Sequence, residues 1–141
     1  MNETAKGLKE AVKIIFGDVF KKPVRMLNAR TEETKDIPAL AEAIRLVTSY
    51  NNFVGDMVAD LLLKAHEKGL LMGAEFGREG SPVLYLHPPY WSSQRTNEKE
   101  NANSAEKIDA KEQAVKLQSI FAAALPNENN IEYNIVRLWW D

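Results

Sequence analysis

No cysteine occurs among the 141 residues of this chain. That excludes disulfide frameworks, cysteine-based zinc sites, iron–sulfur clusters and thiol nucleophiles. A thiol-free chain suits a reducing compartment, and the cytoplasm is the expected location. No stretch approaches the ~18 apolar residues of a membrane helix. The opening MNETAKGLKEAVKIIF interleaves charged and apolar residues. It lacks the basic start and unbroken apolar run of a secretion signal, so no membrane association is expected. Neither charge sign is in excess: 18 Lys and Arg against 20 Asp and Glu leave a net charge of −2. A strongly basic nucleic-acid binder would show a clear positive surplus.

Chemical motifs are also scarce. His66 and His87 are the only histidines, and neither sits in an HExxH or HxH spacing. Gly73, Gly77 and Gly80 lead into a strand pattern, whereas a phosphate cradle needs a helix N-terminus after the last glycine. Glu32-Glu33 and Glu98/Glu100 lie in polar connectors, where solvated charge is the simplest role. No catalytic residue, metal ligand or cofactor is therefore expected.

What the chain does contain is an ordinary globular composition, 45% hydrophobic and 27% charged. Its length suits one domain spanning 1–141, large enough to bury roughly two-thirds of its unfolded surface. Leu8, Val12, Ile15 and Val19 recur at helical spacing and predict a helix over 3–20, stopped by Pro23. A connector with a short strand at 24–27 follows. From Pro38, the residues Leu40, Ile44, Val47, Asn51, Val54, Val58, Leu61 and Ala65 alternate at spacings of four and three. A polar stripe runs opposite, and both hold phase through the poor helix formers Thr48–Asn52. One continuous helix over 38–68 is the expectation, ~46 Å long and as long as the whole domain.

Alternation over 70–76 and 83–87, separated by Gly77–Pro82, predicts a hairpin over 70–87. Pro88-Pro89 ends it. The polar stretch at about 92–103 cannot form a core and is expected to be a flexible loop. A helix over 104–125 and a C-terminal strand over 131–140 complete the chain. That strand carries apolar residues on both faces, which suits a central or interface strand. The expected fold class is α+β: one long helix plus two or three shorter helices packed on a small antiparallel sheet made of hairpin 70–87 and strand 131–140.

Several residues are candidates for contact with a partner. Tyr90 and Trp91 precede the polar loop that holds Arg95, and large aromatics beside such backbone either bind or fold back as a plug. Trp139 and Trp140 point to opposite faces of one strand, and a domain core covers one more easily than both. Lys21, Lys22, Arg25 and Arg30 form a basic run, either a patch for an acidic partner or a solvated connector. Asn51 interrupts the apolar stripe of the long helix, where it would fix the register of a helical dimer or make a satisfied amide within one chain.

Together these features suggest a non-catalytic binding or regulatory module that acts through macromolecular contacts as a homodimer with a protein partner. An alternative rests on element order. Helix, short strand, helix, helix and hairpin is the order of winged-helix DNA-binding proteins. In that alternative, 52–68 is the recognition helix, 70–87 the wing, and Arg78 a phosphate contact at its tip. It requires a turn near 48–51. Nucleic acid is not favoured, because Asp56, Asp60 and Glu67 oppose Lys64 and Lys68 on the exposed face of that helix.

Overall fold

The computed structural model describes residues 3–16, 28–47, 49–50, 52–89 and 104–140. Helix α1 (Glu3–Phe16) is followed by strand β1 (Asn28–Arg30), helix α2 (Ile37–Ile44), the short strands β2 (Ser49–Tyr50) and β3 (Phe53–Val54), and helix α3 (Gly55–Glu67). Strands β4 (Gly73–Glu79) and β5 (Ser81–His87) come next. Helix α4 (Ser104–Phe121) ends in a 3-10 turn at Ala122–Ala124, and strands β6 (Glu128–Glu132) and β7 (Ile135–Trp139) close the chain. The five longer-range strands form one antiparallel sheet in the order β1-β4-β5-β7-β6, while β2 and β3 pair separately.

The α+β class is as expected, with helices packed on an antiparallel sheet. Helices α1 and α2 lie against β4, α4 lies against β6 and β7, and α3 packs on α2 and α4. Period-two alternation decides which side chains meet them. Ala74, Phe76, Leu84, Leu86, Val136 and Leu138 all point to the helical side and are fully buried. Helix α1 contributes Leu8, Val12 and Ile15 from the expected stripe, with Ala5 and Phe16 beside them, while Val19 lies outside the described residues.

The single helix over 38–68 is overturned. The segment is a helical hairpin, α2 and α3, with the small β2–β3 ladder between them. Asp36 caps α2 by accepting a hydrogen bond from the Ala39 amide at 3.1 Å. The helix tightens and stops as Leu46 and Val47 amides bond back to Ala43 and Ile44 carbonyls. The chain then returns so closely that a Cβ on Gly55 would stand 2.1 Å from the Val47 carbonyl oxygen. Both stripes kept phase because both short helices face the same core. The inner face of α3 is Val58, Ala59, Leu62 and Ala65, and Val54 from the expected stripe is exposed.

Two further boundaries differ. The expected turn Gly77–Pro82 is narrower, a reversal at Gly80 between β4 and β5. The expected strand 131–140 is the β6–β7 hairpin, turned at Tyr133-Asn134 with φ of 53° and 62°. Positive φ at both central residues is the type I′ geometry whose twist suits a two-residue hairpin. The centrally placed strand is β7, between β5 and β6. The short strand expected at 24–27 and the loop at about 92–103 lie outside the described residues.

Gly55→Ala separates the two arrangements by sign. In the interior of a continuous helix it would stabilise by about 1 kcal/mol. In the observed hairpin the new methyl meets two backbone carbonyls, and a loss of roughly 2 kcal/mol or more is expected in chemical denaturation.

Candidate functional site

The second face of the sheet carries charge. Glu75 and Glu79 on β4, Tyr85 and His87 on β5, Arg137 on β7, and Glu128, Asn130 and Glu132 on β6 share the same parity and point away from the helices. Strand β1 adds Arg30 at the adjoining edge.

These side chains form two linked groups. In the first, His87 Nε2 lies 2.8 Å from Glu75 Oε2, and Arg30 Nη1 lies 3.5 Å from Glu75 Oε1. The Arg30 guanidinium also sits 4.4 Å above the Tyr85 ring centre, a cation–π contact. In the second, Glu79 is the hub. Tyr85 donates its hydroxyl to Glu79 Oε2 at 2.5 Å, and Arg137 donates from Nε and Nη2 to Glu79 Oε1 at 3.1 and 2.7 Å. Arg137 Nη1 reaches Glu128 Oε1 at 2.5 Å, and the Trp139 indole donates to the Glu79 carbonyl at 2.9 Å.

Electrostatics follow this wiring. Burial works against the charge on Glu79, but the hydrogen bonds from Tyr85 and Arg137 and the charges of Arg137 and Arg30 outweigh it, so the carboxyl titrates below its ordinary value. Burial pushes the Tyr85 hydroxyl up, and its bond to Glu79 pushes it further. Burial also opposes the Arg137 charge, and its bonds to Glu128, Glu79 and Tyr85 more than offset that, raising its affinity for the proton.

A cavity of about 650 Å³ opens over this face, lined by Arg30, Glu33, Glu75, Tyr85, His87, Asn130, Glu132, Tyr133, Ile135 and Arg137. Its size is that of small-ligand sites. Glu33 enters from the segment after β1. A Cβ on residue 73 would fall 2.6 Å from Glu33 Oε2, so Gly73 leaves the space this carboxylate occupies. Tyr133 stands at the β6–β7 turn with its side chain 61% exposed. A bulky residue in left-handed conformation, neither buried nor favoured by the turn, is unusual. Among the described residues no group of three or more His, Cys, Asp or Glu could hold a metal ion.

The residues singled out from sequence fare differently. Trp140 is fully buried, stacked edge-on against Phe53 and bonded to the Ala124 carbonyl at 2.9 Å, so it is a core residue and not a partner contact. Trp139 is half-buried on the charged face. Arg30 is exposed and joins the Glu75 group on the charged face. Arg78 is buried and donates to the Gly80 carbonyl, which removes it as a phosphate contact at a wing tip. The register role of Asn51 falls with the long helix on which it was argued. Asn51 itself lies outside the described residues, as do Tyr90, Trp91, Arg95, Lys21, Lys22 and Arg25. The Glu75–His87 pair, the Glu79 hub and Tyr133 went unrecognised. Pairing β4 with β5 through the tight Gly80 turn would have placed the first two groups on one face. Reading Tyr133-Asn134 as a type I′ turn would have found the third.

No family model matches the chain, and no curated protein or solved structure matches it significantly.

The pH dependence of stability should reflect the hub. The depressed Glu79 pKa contributes stability above the ordinary glutamate range that is lost as pH falls through the lower folded value. The raised Tyr85 pKa contributes stability below pH ~10 that is lost as pH rises beyond it. Glu79→Gln should flatten the acid limb and cost about 1–2 kcal/mol near neutrality, less than a fully buried pair because solvent reaches both partners. Urea titrations of both proteins from pH 3 to 10 measure this. An unchanged acid limb would show that Glu79 is not the group responsible.

Proposed function

We propose that this chain is a non-catalytic binding module that engages a macromolecular partner through the cavity on the charged face of its sheet. The observation that carries this is Tyr133: a large aromatic side chain, held exposed in a strained turn, at the rim of a cavity lined by fixed charges. Exposed rigid aromatics bring contact area at small entropic cost, which is why they anchor interfaces. The Glu79 and Glu75 groups pre-organise the floor, since their side chains are already held by neighbours before any ligand arrives.

Self-association was expected from a domain-length apolar helix and from two terminal tryptophans. The helix is two short helices and Trp140 is internal, so the proposal takes its contact surface from the sheet face and not from a second copy. Among the described residues no helix is long and apolar enough to cross a membrane.

A second reading, DNA binding, is favoured by one observation. The break between α2 and α3, with β1 paired onto the β4–β5 hairpin, realises the element order of winged-helix proteins. The charges oppose it. Asp56 and Asp60 lie on the exposed side of α3, held by Arg45 at 3.2 and 2.6 Å. The outer edge of β5 is occupied by β7, so the hairpin does not project as a free wing.

Affinity capture from the native host, read by mass spectrometry, tests the proposal with three baits: the unaltered chain, Tyr133→Asn/Glu132→Lys, and Lys64→Glu on α3. A partner lost with the first variant and kept with the second is the expected result. The reverse pattern would move the contact to α3 and overturn the cavity as its site. Fluorescence anisotropy with a labelled duplex at 50 and 200 mM salt addresses DNA. Binding that weakens steeply with salt would establish the second reading.

A further inference from the structure

Resting on the cavity as the contact surface, we infer that its ligand is cationic: an arginine or lysine side chain presented by a basic segment of a protein partner. The inference comes from which charges in the cavity are already matched. Arg137 is held by Glu79 and Glu128, and Arg30 by Glu75 and the face of Tyr85. An incoming anion would meet guanidinium groups that already face carboxylates, Glu75 at 3.5 Å from Arg30, and Glu79 and Glu128 against Arg137. Glu33 and Glu132 line the same cavity with no ion-pair partner among the described residues, and both are exposed. Among the described residues, the unmatched charge facing a ligand is therefore negative. A neutral aromatic ring, Tyr133, is exposed beside it.

A carboxylate rim with an open aromatic face is the chemistry that recognises guanidinium or ammonium groups. The ring quadrupole attracts the cation, and the carboxylates accept its N–H bonds. Asn130 on the same wall adds a side-chain amide able to accept a further N–H. A planar guanidinium can lie on Tyr133 while its edge meets Glu132 or Glu33, as Arg30 already lies on Tyr85 while meeting Glu75 within the same cavity. The chain thus holds one arginine in the manner in which it would hold a second from outside. A protein segment is the favoured source over a free amine, because the site is a broad surface basin and the rim charges are set apart on β6 and on the segment after β1. Long, flexible basic side chains reach such separated charges from one backbone.

The position of Tyr133 makes the inference separable from folding. Asparagine adopts left-handed backbone readily and is common in this turn type. Tyr133→Asn should therefore leave the fold as stable as before or more so, while removing the ring. In the same way, Glu33→Gln/Glu132→Gln removes exposed charge without opening a buried pair.

The test uses the full chain, labelled with nitrogen-15, and two capped hexapeptides of equal length, one with two arginines and one with two glutamates. Spermidine is the third probe. The arginine peptide should move the amide resonances of 30–33 and 130–137. Its affinity should fall roughly threefold to thirtyfold in Tyr133→Asn, and further in the double glutamine variant. Denaturation of Tyr133→Asn should show undiminished stability. If the glutamate peptide moves those resonances instead, the cationic assignment is wrong while the cavity stands as a binding surface. If spermidine binds as tightly as the arginine peptide, the protein-segment source is overturned in favour of a free amine. If no probe moves them, the inference falls. The capture experiment above then decides independently whether the cavity falls with it: a partner still lost with the Tyr133→Asn/Glu132→Lys bait would leave the cavity in place for a ligand of other chemistry.

Discussion

A run of aromatic rings fixes this fold. Phe76, in the central part of β4, stacks on Phe16 of α1 at 5.2 Å and on Phe53 of β3 at 5.6 Å, and Phe53 meets Trp140 edge-on at 5.0 Å. Those contacts tie the first helix, the helix–helix connector and the end of the chain to one point on the sheet. They also explain why the helix breaks. Burying Phe53 contributes about 2–3 kcal/mol, and each ring pair roughly another 1 kcal/mol. Propagating a helix through Thr48–Asn52 would forgo that burial and add a few tenths to ~0.7 kcal/mol for each poor helix former. Both effects favour the turn.

The same constraint determines where chemistry can occur. With Phe76, Leu84, Leu86, Val136 and Leu138 committed to the helical side, alternation leaves Glu75, Glu79, Tyr85, His87 and Arg137 on the other. Placing so many polar groups across a sheet is stable because each satisfies a neighbour. Glu79 accepts from Tyr85 and Arg137, and its own backbone carbonyl accepts from Trp139. The charged face is thus a rigid floor, and the groups available to anything outside stand at its rim.

Much of the architecture was legible in the sequence. Leu8, Val12 and Ile15 of α1 and Ala114, Leu117 and Phe121 of α4 face inward as their apolar spacing implies, whereas Leu125, at the end of the expected last helix, is exposed; Pro38 marks a helix start. The β4–β5 hairpin follows from alternation around a glycine turn. Two misreadings have one physical origin. Periodicity reports which residues face a core, not whether the chain has doubled back between them. Phase was preserved across 38–68 because two helices share one core, and apolar residues fall on both parities of 131–140 because the two-residue turn brings Ile131 of β6 to the same face as Val136 of β7. The information that breaks the tie sits in single residues: Gly55, where only hydrogen fits, and Tyr133-Asn134, where two positive φ values turn the strand. Of the candidate site, Arg30 and Trp139 lie on the charged face, but in roles set by Glu75 and Glu79. Those partners are distant in sequence and adjacent only through strand register, which no linear pattern displays.

Element order and surface charge point in different directions, and the charge decides more. A helix-strand-helix-helix-hairpin core is an arrangement of backbone that many surfaces can be built upon. For a helix in the major groove, the first exposed turns should present donors to bases and phosphates. Here those turns present Asp56 and Asp60, held by Arg45 from the preceding helix. Arg45 satisfies the two carboxylates without reversing their sign, since one guanidinium faces two negative charges. For a wing, the hairpin should be free along one edge. Here Val83 to Leu86 are fully engaged by Val136 to Trp139. The C-terminal hairpin thus occupies the edge from which a wing would act, and by extending the sheet it brings Glu132 and Tyr133 alongside Arg30, Glu75 and His87 in one cavity. The hairpin that covers the outer edge of β5 is also the one that builds the polar basin, and the proposed partner would meet the exposed ring of Tyr133 and the carboxylates of Glu33 and Glu132 there.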